Sequence, residues 1–116
     1  MTREDGWIES AEGNRLFWRR HSPEEDPRAV LLVVHGLAEH SGRYLHVLDH
    51  FADAGFDCWA HDYRGHGQSP GLRVHVREFD EFLTDLAAAR QLDRHAQPDL
   101  PLFLVGHSQG GLILLR

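Results

Sequence analysis

Apolar and polar positions separate this chain into short strands and amphipathic helices. Trp7-Ile8-Glu9-Ser10 and Leu16-Phe17-Trp18-Arg19 are strand-like runs on either side of Glu12-Gly13-Asn14, which predicts an antiparallel hairpin. Residues 22–28 are polar with two prolines and read as a surface loop. Ala29 to Val34 is a continuous apolar run, the signature of a strand covered on both faces, as in parallel sheets. Tyr44, Val47, Leu48, Phe51 and Ala52 recur at helical spacing, with Gly55 placed to stop the helix. Phe56 to Ala60 is the next strand, and Asp62 to Gly71 is a glycine-rich loop.

Phe79, Phe82, Leu83, Leu86 and Ala89 mark a second helix. Glu78, Asp80 and Glu81 in its first turn and Arg90 and Arg94 near its end complement the helix dipole. Pro98 and Pro101 end it, and Leu102 to Val105 forms a further strand before Leu112 to Leu115. The order is hairpin, strand, helix, strand, helix, strand, helix start. Such alternation implies right-handed βαβ units, a mostly parallel sheet and an α/β fold class, without internal repeat or domain boundary.

The most informative stretch is Gly106-His107-Ser108-Gln109-Gly110-Gly111. A Gly-x-Ser-x-Gly pattern between a strand and a helix start is a nucleophile elbow. The turn is so tight that residues two before and two after the serine crowd its backbone. Gly106 and Gly110, without Cβ atoms, relieve that crowding. Ser108 then stands exposed at a helix N-terminus, where developing negative charge is favoured.

Serine hydrolysis needs a nucleophile, a base and donors for the oxyanion. Ser108 is the nucleophile candidate. The backbone N–H of Gln109 is one expected oxyanion donor, and that of Leu37, in the loop after the first parallel strand, is the other. Gly36 lets that loop approach the bound carbonyl. His35, beside it, reads as a structural hydrogen-bonder.

Three segments carry a family resemblance: His35-Gly36-Leu37-Ala38-Glu39-His40-Ser41-Gly42-Arg43-Tyr44, Ala60 to Gly71, and the elbow from Gly106 to Gly111. From about Trp7 to Arg116 the chain resembles the N-terminal half of an α/β-hydrolase, in the monoacylglycerol lipase and lysophospholipase-like branch of the serine aminopeptidase S33 type. The elbow is shared widely in that superfamily, whereas the His-Gly-x-x-Glu-His-x-x-Arg-Tyr segment is narrower. The resemblance implies an ester hydrolase acting on singly acylated glycerol compounds without metal or organic cofactor. It places the nucleophile at Ser108 and the oxyanion donors at Leu37 and Gln109, and makes residues 1–116 a partial hydrolase domain.

The triad order in this fold is Ser, then Asp or Glu, then His. Both partners and the cap that shapes the acyl pocket are expected downstream of Ser108, where the only ionisable residue is Arg116. The chain is therefore read as a fragment with the nucleophile and oxyanion hole but without triad acid and base, inactive by itself. Any peripheral membrane contact would fall to that cap. Among upstream histidines, His107 is aimed away from Ser108 by the turn, and His61 and His66 read as packing residues of the glycine-rich loop. Asp62 and Arg64 read as structural, pairing with each other or capping loops. His46 and His50 stand four apart, a spacing that permits metal ligation. No acidic residue completes a His-Glu-x-x-His pattern, so a solvated helix face is the expectation.

Composition narrows the alternatives. The net charge of −6 argues against nucleic acid as a partner, which calls for a basic patch; that all twelve basic residues are arginine reads as a composition bias without functional message. A single cysteine, Cys58, excludes an internal disulfide and sits in an apolar run, as a buried hydrophobe does. The charged N-terminus lacks the apolar core of a signal peptide, and a cytoplasmic protein is expected. Aspartate-dependent dehalogenases and epoxide hydrolases are disfavoured by Ser108. A peptidase, a thioesterase or a non-catalytic half-domain remain as alternatives. An unpaired apolar edge on Leu102 to Val105 predicts a marginally stable chain that self-associates.

Overall fold

The computed structural model describes residues 1–10, 13–71, 73 and 79–115. Among these, five strands form one mixed sheet in the order β1-β2-β4-β3-β5. Strands β1 (Thr2–Glu9) and β2 (Arg15–Ser22) form the predicted hairpin, each longer than its apolar run alone suggests. Its turn is held by Ser10 N–H to Asn14 O at 2.8 Å, with Gly13 at φ 77°. Glu12 of the predicted turn lies outside the described residues. The hairpin joins the sheet through an antiparallel pairing of β2 with β4 (Phe56–Asp62).

The parallel part is β4, β3 (Ala29–Val34) and β5 (Leu102–Gly106), with β3 central. All six residues of β3 are buried, as its unbroken apolar run requires. Their alternation divides the core into two layers. Val30, Leu32 and Val34 pack with Trp59, Tyr63, Phe82 and Ile113 on one face. Leu31 and Val33 pack with Leu48, Ala52, Cys58 and Ala60 on the other.

Helix α1 (Leu45–Asp53), entered through a 3₁₀ turn over Ser41–Tyr44, supplies Leu48 and Ala52 to the second layer. Gly55 follows it at φ 99°, where a left-handed residue ends the helix. Helix α2 (Asp80–Ala96) and α3 (Gln109–Leu115) cover the first layer through Phe82 and Ile113. Glu78, assigned from sequence to the first turn of α2, lies outside the described residues. His46 and His50 are exposed on α1, and Cys58 is fully buried, with its thiol pushed up to about 12 by burial.

The glycine-rich loop after β4 is fastened from several sides. Asp62 accepts Ser41 N–H at 2.6 Å and Gln68 N–H at 3.0 Å. Ser69 Oγ donates to the Asp62 carbonyl and accepts Phe17 N–H at 2.9 Å. Arg64 binds Asp85 of α2, through Nη2 at 2.9 Å and through its own backbone N–H at 2.8 Å. The sequence left Asp62 and Arg64 either pairing or capping loops: Asp62 caps, and Arg64 pairs with an acid on α2.

Candidate active site

Two loops meet at the carboxyl end of the parallel strands because of strand register. Val34 pairs with Gly106 in the β3–β5 ladder, so the two strands end level. The residues that follow, His35-Gly36-Leu37 and His107-Ser108-Gln109, are therefore neighbours. His107 N–H donates to the Val34 carbonyl at 3.2 Å and ties the elbow to the end of β3.

Ser108 is exposed and has φ 56°, in the left-handed region that non-glycine residues rarely adopt. Such strain persists only where surrounding structure imposes it. Here Gly106 and Gly110 make the turn possible. A Cβ at Gly106 would stand 2.6 Å from Gly111 N, and one at Gly110 would stand 2.1 Å from the Val34 carbonyl oxygen. Both glycines are needed, but the nearest atoms a Cβ would meet belong to Gly110 and Gly111 and to the end of β3, not to the backbone of Ser108 as the spacing alone suggested.

The oxyanion-loop candidates form a tight turn. Glu39 N–H donates to the Gly36 carbonyl at 3.3 Å, and Ala38 inside the turn has φ 59°. A Cβ at Gly36 would meet Glu39 Oε2 at 2.9 Å and His107 O at 3.1 Å, so glycine permits the approach of loop to elbow. Among the described residues, neither Leu37 N–H nor Gln109 N–H has an acceptor. Both are thus available to a bound oxyanion.

His35 is buried beneath this loop and stacks on Tyr63, with ring centroids 3.9 Å apart. Its Nδ1 lies 2.8 Å from the Gly36 carbonyl, and its Nε2 accepts Tyr63 N–H at 3.4 Å. Those partners assign a neutral ring with the proton on Nδ1. Burial, reinforced by His61 and His66, pushes its pKa down to about 4. His61 is likewise buried and driven to about 4, and His66 is lowered by burial. His66 Nδ1 lies 3.0 Å from the Arg64 carbonyl. His107 turns outward, its side chain largely exposed. Among the described residues, no histidine is hydrogen-bonded to Ser108.

Sequence reasoning assigned no role to Glu39 and gave Tyr44 only a place in the helical repeat, although both lie in the narrow motif. Glu39 Oε2 accepts Gly36 N–H at 2.7 Å and the Tyr44 hydroxyl at 2.7 Å, and lies 3.4 Å from His107 Nδ1. Desolvation opposes the charge on Glu39, yet the hydrogen bonds from Tyr44, Gly36 and His107 outweigh it and hold the carboxyl near 2. Desolvation and the bond to Glu39 push the Tyr44 hydroxyl up to about 12. The readable signal was the acid–aromatic pair five residues apart, flanking a short turn.

Comparison with known proteins gives the family and the fold. The family model for serine aminopeptidase, S33, matches residues 25–116. The monoacylglycerol lipase of Mycolicibacterium smegmatis is 41% identical over 113 residues, covering 97% of this chain and 40% of that protein. Human monoglyceride lipase is 40% identical over 106 residues, covering 91% of this chain and 35% of that protein. The crystal structure of a thermostable carboxyl esterase from Bacillus coagulans, in complex with glycerol, superposes with a TM-score of 0.87 at 32% identity. It covers 97% of this chain and 38% of the esterase. The chain thus spans about 35–40% of the length of these relatives. The chain belongs to the serine aminopeptidase S33 family, and its fold is that of the N-terminal half of an α/β-hydrolase.

Proposed function

We propose that this chain carries the nucleophile and oxyanion hole of a carboxylic ester hydrolase acting on monoacylglycerol or lysophospholipid. The carrying observation is Ser108 at φ 56°, set beside the Gly36-Leu37 loop by the Val34–Gly106 register. The names of the relatives, monoacylglycerol lipase and monoglyceride lipase, support the ester class.

In this reading Ser108 Oγ attacks the ester carbonyl carbon, and its proton passes to a histidine supplied by polypeptide following this segment. The carbonyl oxygen becomes an oxyanion that accepts the N–H groups of Leu37 and Gln109. Collapse expels the alcohol, which takes the proton, and leaves an acyl-serine that water hydrolyses. The neutral, internally bonded His35 and the outward-facing His107 take no part in proton transfer.

A second reading, an aminopeptidase, is favoured by the description of the matching family. The two separate in one assay. The protein that carries this chain is offered a monoacylglycerol, a lysophospholipid and an aminoacyl amide, each with a Ser108→Ala control. Serine-dependent release of fatty acid supports the lipase reading. Serine-dependent turnover of the amide alone replaces it with the peptidase.

A further inference from the structure

The planar peptide joining Gly36 to Leu37 holds one end of the oxyanion hole. In a trans peptide the carbonyl and the N–H point in opposite directions, so whatever fixes the Gly36 carbonyl also fixes the Leu37 N–H. That carbonyl is gripped from beneath by His35 Nδ1 at 2.8 Å and from within the turn by Glu39 N–H at 3.3 Å. The preceding peptide is gripped by the Glu39 side chain, which accepts Gly36 N–H at 2.7 Å. Glu39 therefore engages both peptide units of Gly36, one through its backbone and one through its carboxylate.

The turn needs this restraint. Ala38 sits at φ 59°, where a Cβ is disfavoured, so the loop left to itself relaxes to other conformations. The carboxylate is itself held by the Tyr44 hydroxyl at 2.7 Å, at the start of α1. Its third neighbour is His107 Nδ1 at 3.4 Å, on the residue preceding Ser108. Loop, helix entrance and elbow converge on one carboxylate oxygen.

We propose that the Glu39 side chain is a positioning group for the oxyanion hole: its carboxylate holds the Gly36 N–H, and by fixing that end of the turn keeps the adjoining Gly36–Leu37 peptide oriented so that the Leu37 N–H stays presented beside Ser108. Tyr44 is its support, and the pair explains in physical terms why an acid and a tyrosine flank this turn. The proposal rests on the ester-hydrolase reading for its kinetic consequence but not for its structural one.

The test has two arms, both on the protein that carries this chain. In the kinetic arm, Glu39→Ala lowers kcat by roughly 10- to 100-fold with KM little changed, since an oxyanion donor acts in the transition state. Glu39→Gln keeps an oxygen for Gly36 N–H and the Tyr44 hydroxyl and restores kcat to within about threefold of the parent, which a loss of charge alone does not allow. Tyr44→Phe falls between them. Equal kcat in Glu39→Ala and the parent overturns the proposal while leaving the hydrolase reading intact. So does a Glu39→Gln variant as impaired as Glu39→Ala.

The second arm needs no turnover. Amide resonances and exchange rates of Gly36 and Leu37 are compared between parent and Glu39→Ala, with distant β2 and β4 amides as the folding control. Faster exchange at Gly36 and a displaced Leu37 resonance, with the control unchanged, are expected. Unmoved Gly36 and Leu37 amides overturn the proposal even if no substrate is ever turned over. A control that moves as well assigns Glu39 to general stability and overturns it equally.

Discussion

Gly110 lies against the Val34 carbonyl so closely that an alanine Cβ there would stand 2.1 Å from the oxygen. The start of α3 and the end of β3 are in backbone contact, and neither neighbour is a flexible side chain. Gly110→Ala therefore displaces α3 from β3 and is expected to destabilise the fold by about 3 kcal/mol or more. Gly111→Ala is the control: its Cβ has no neighbour nearer than 3.5 Å and costs little. Chemical denaturation of the two variants beside the parent reads the difference.

The Arg64–Asp85 pair joins the glycine-rich loop to α2 with both side chains almost out of solvent. Asp85 accepts two Arg64 side-chain nitrogens and the Arg64 backbone N–H. Asp85→Ala leaves the buried guanidinium with the more distant Glu81, 3.5 Å from its Nη1, and takes the acceptor from the Arg64 backbone N–H, so a loss of about 3 kcal/mol is expected. The double change Arg64→Met with Asp85→Leu recovers only part of that loss: the guanidinium's desolvation penalty disappears along with the attraction, but the Arg64 backbone N–H stays without its acceptor. A double-mutant cycle by denaturant unfolding checks both statements.

That pair marks the limit of what the sequence shows. Strand β3, the elbow and helices α1 and α2 were legible because each is local: an unbroken apolar run, a fixed glycine spacing, a repeat of apolar positions. Arg64 and Asp85 are 21 residues apart, and nothing in either neighbourhood indicates the other. The insertion of β4 between β2 and β3 is equally non-local, set by which edges pair rather than by any one segment. Glu39 stood within a quoted motif, yet its role depends on Gly36, Tyr44 and His107 meeting in space.

Buried neutral histidines make the fold sensitive to mild acid. His35 and His61 have folded values near 4 against 6.5 ordinarily, so between those limits the unfolded chain binds more protons. Stability is therefore complete above about pH 6.5 and falls as pH drops toward 4. At pH 5 each histidine costs roughly 2 kcal/mol. Asp93 acts in the opposite sense, because burial raises its carboxyl to about 6 and protonation relieves it. The net expectation from pH 7 to pH 5 is a loss of about 2–3 kcal/mol in denaturant unfolding free energy. Asp93→Asn removes the opposing contribution and steepens the dependence.

Strand β5 pairs only with β3 among the described residues, and Phe103, Leu104 and Val105 are 40–55% exposed. An apolar edge of this kind recruits further strands. Prepared as these 116 residues, the protein is expected to self-associate, and Leu104→Lys is expected to shift it toward monomer. Sedimentation of both forms decides the matter. A parent chain that is monomeric at micromolar concentration contradicts it.

The central claim, that Ser108 is a nucleophile served by an oxyanion hole, is tested most directly by covalent trapping. The protein that carries this chain is treated with a fluorophosphonate ester and digested, and the adduct is located by peptide mass spectrometry. The account predicts one adduct, on Ser108, lost together with esterase activity in Ser108→Ala, a fall of at least about 10⁴-fold. An adduct on another residue, or ester hydrolysis that survives in Ser108→Ala, would contradict it.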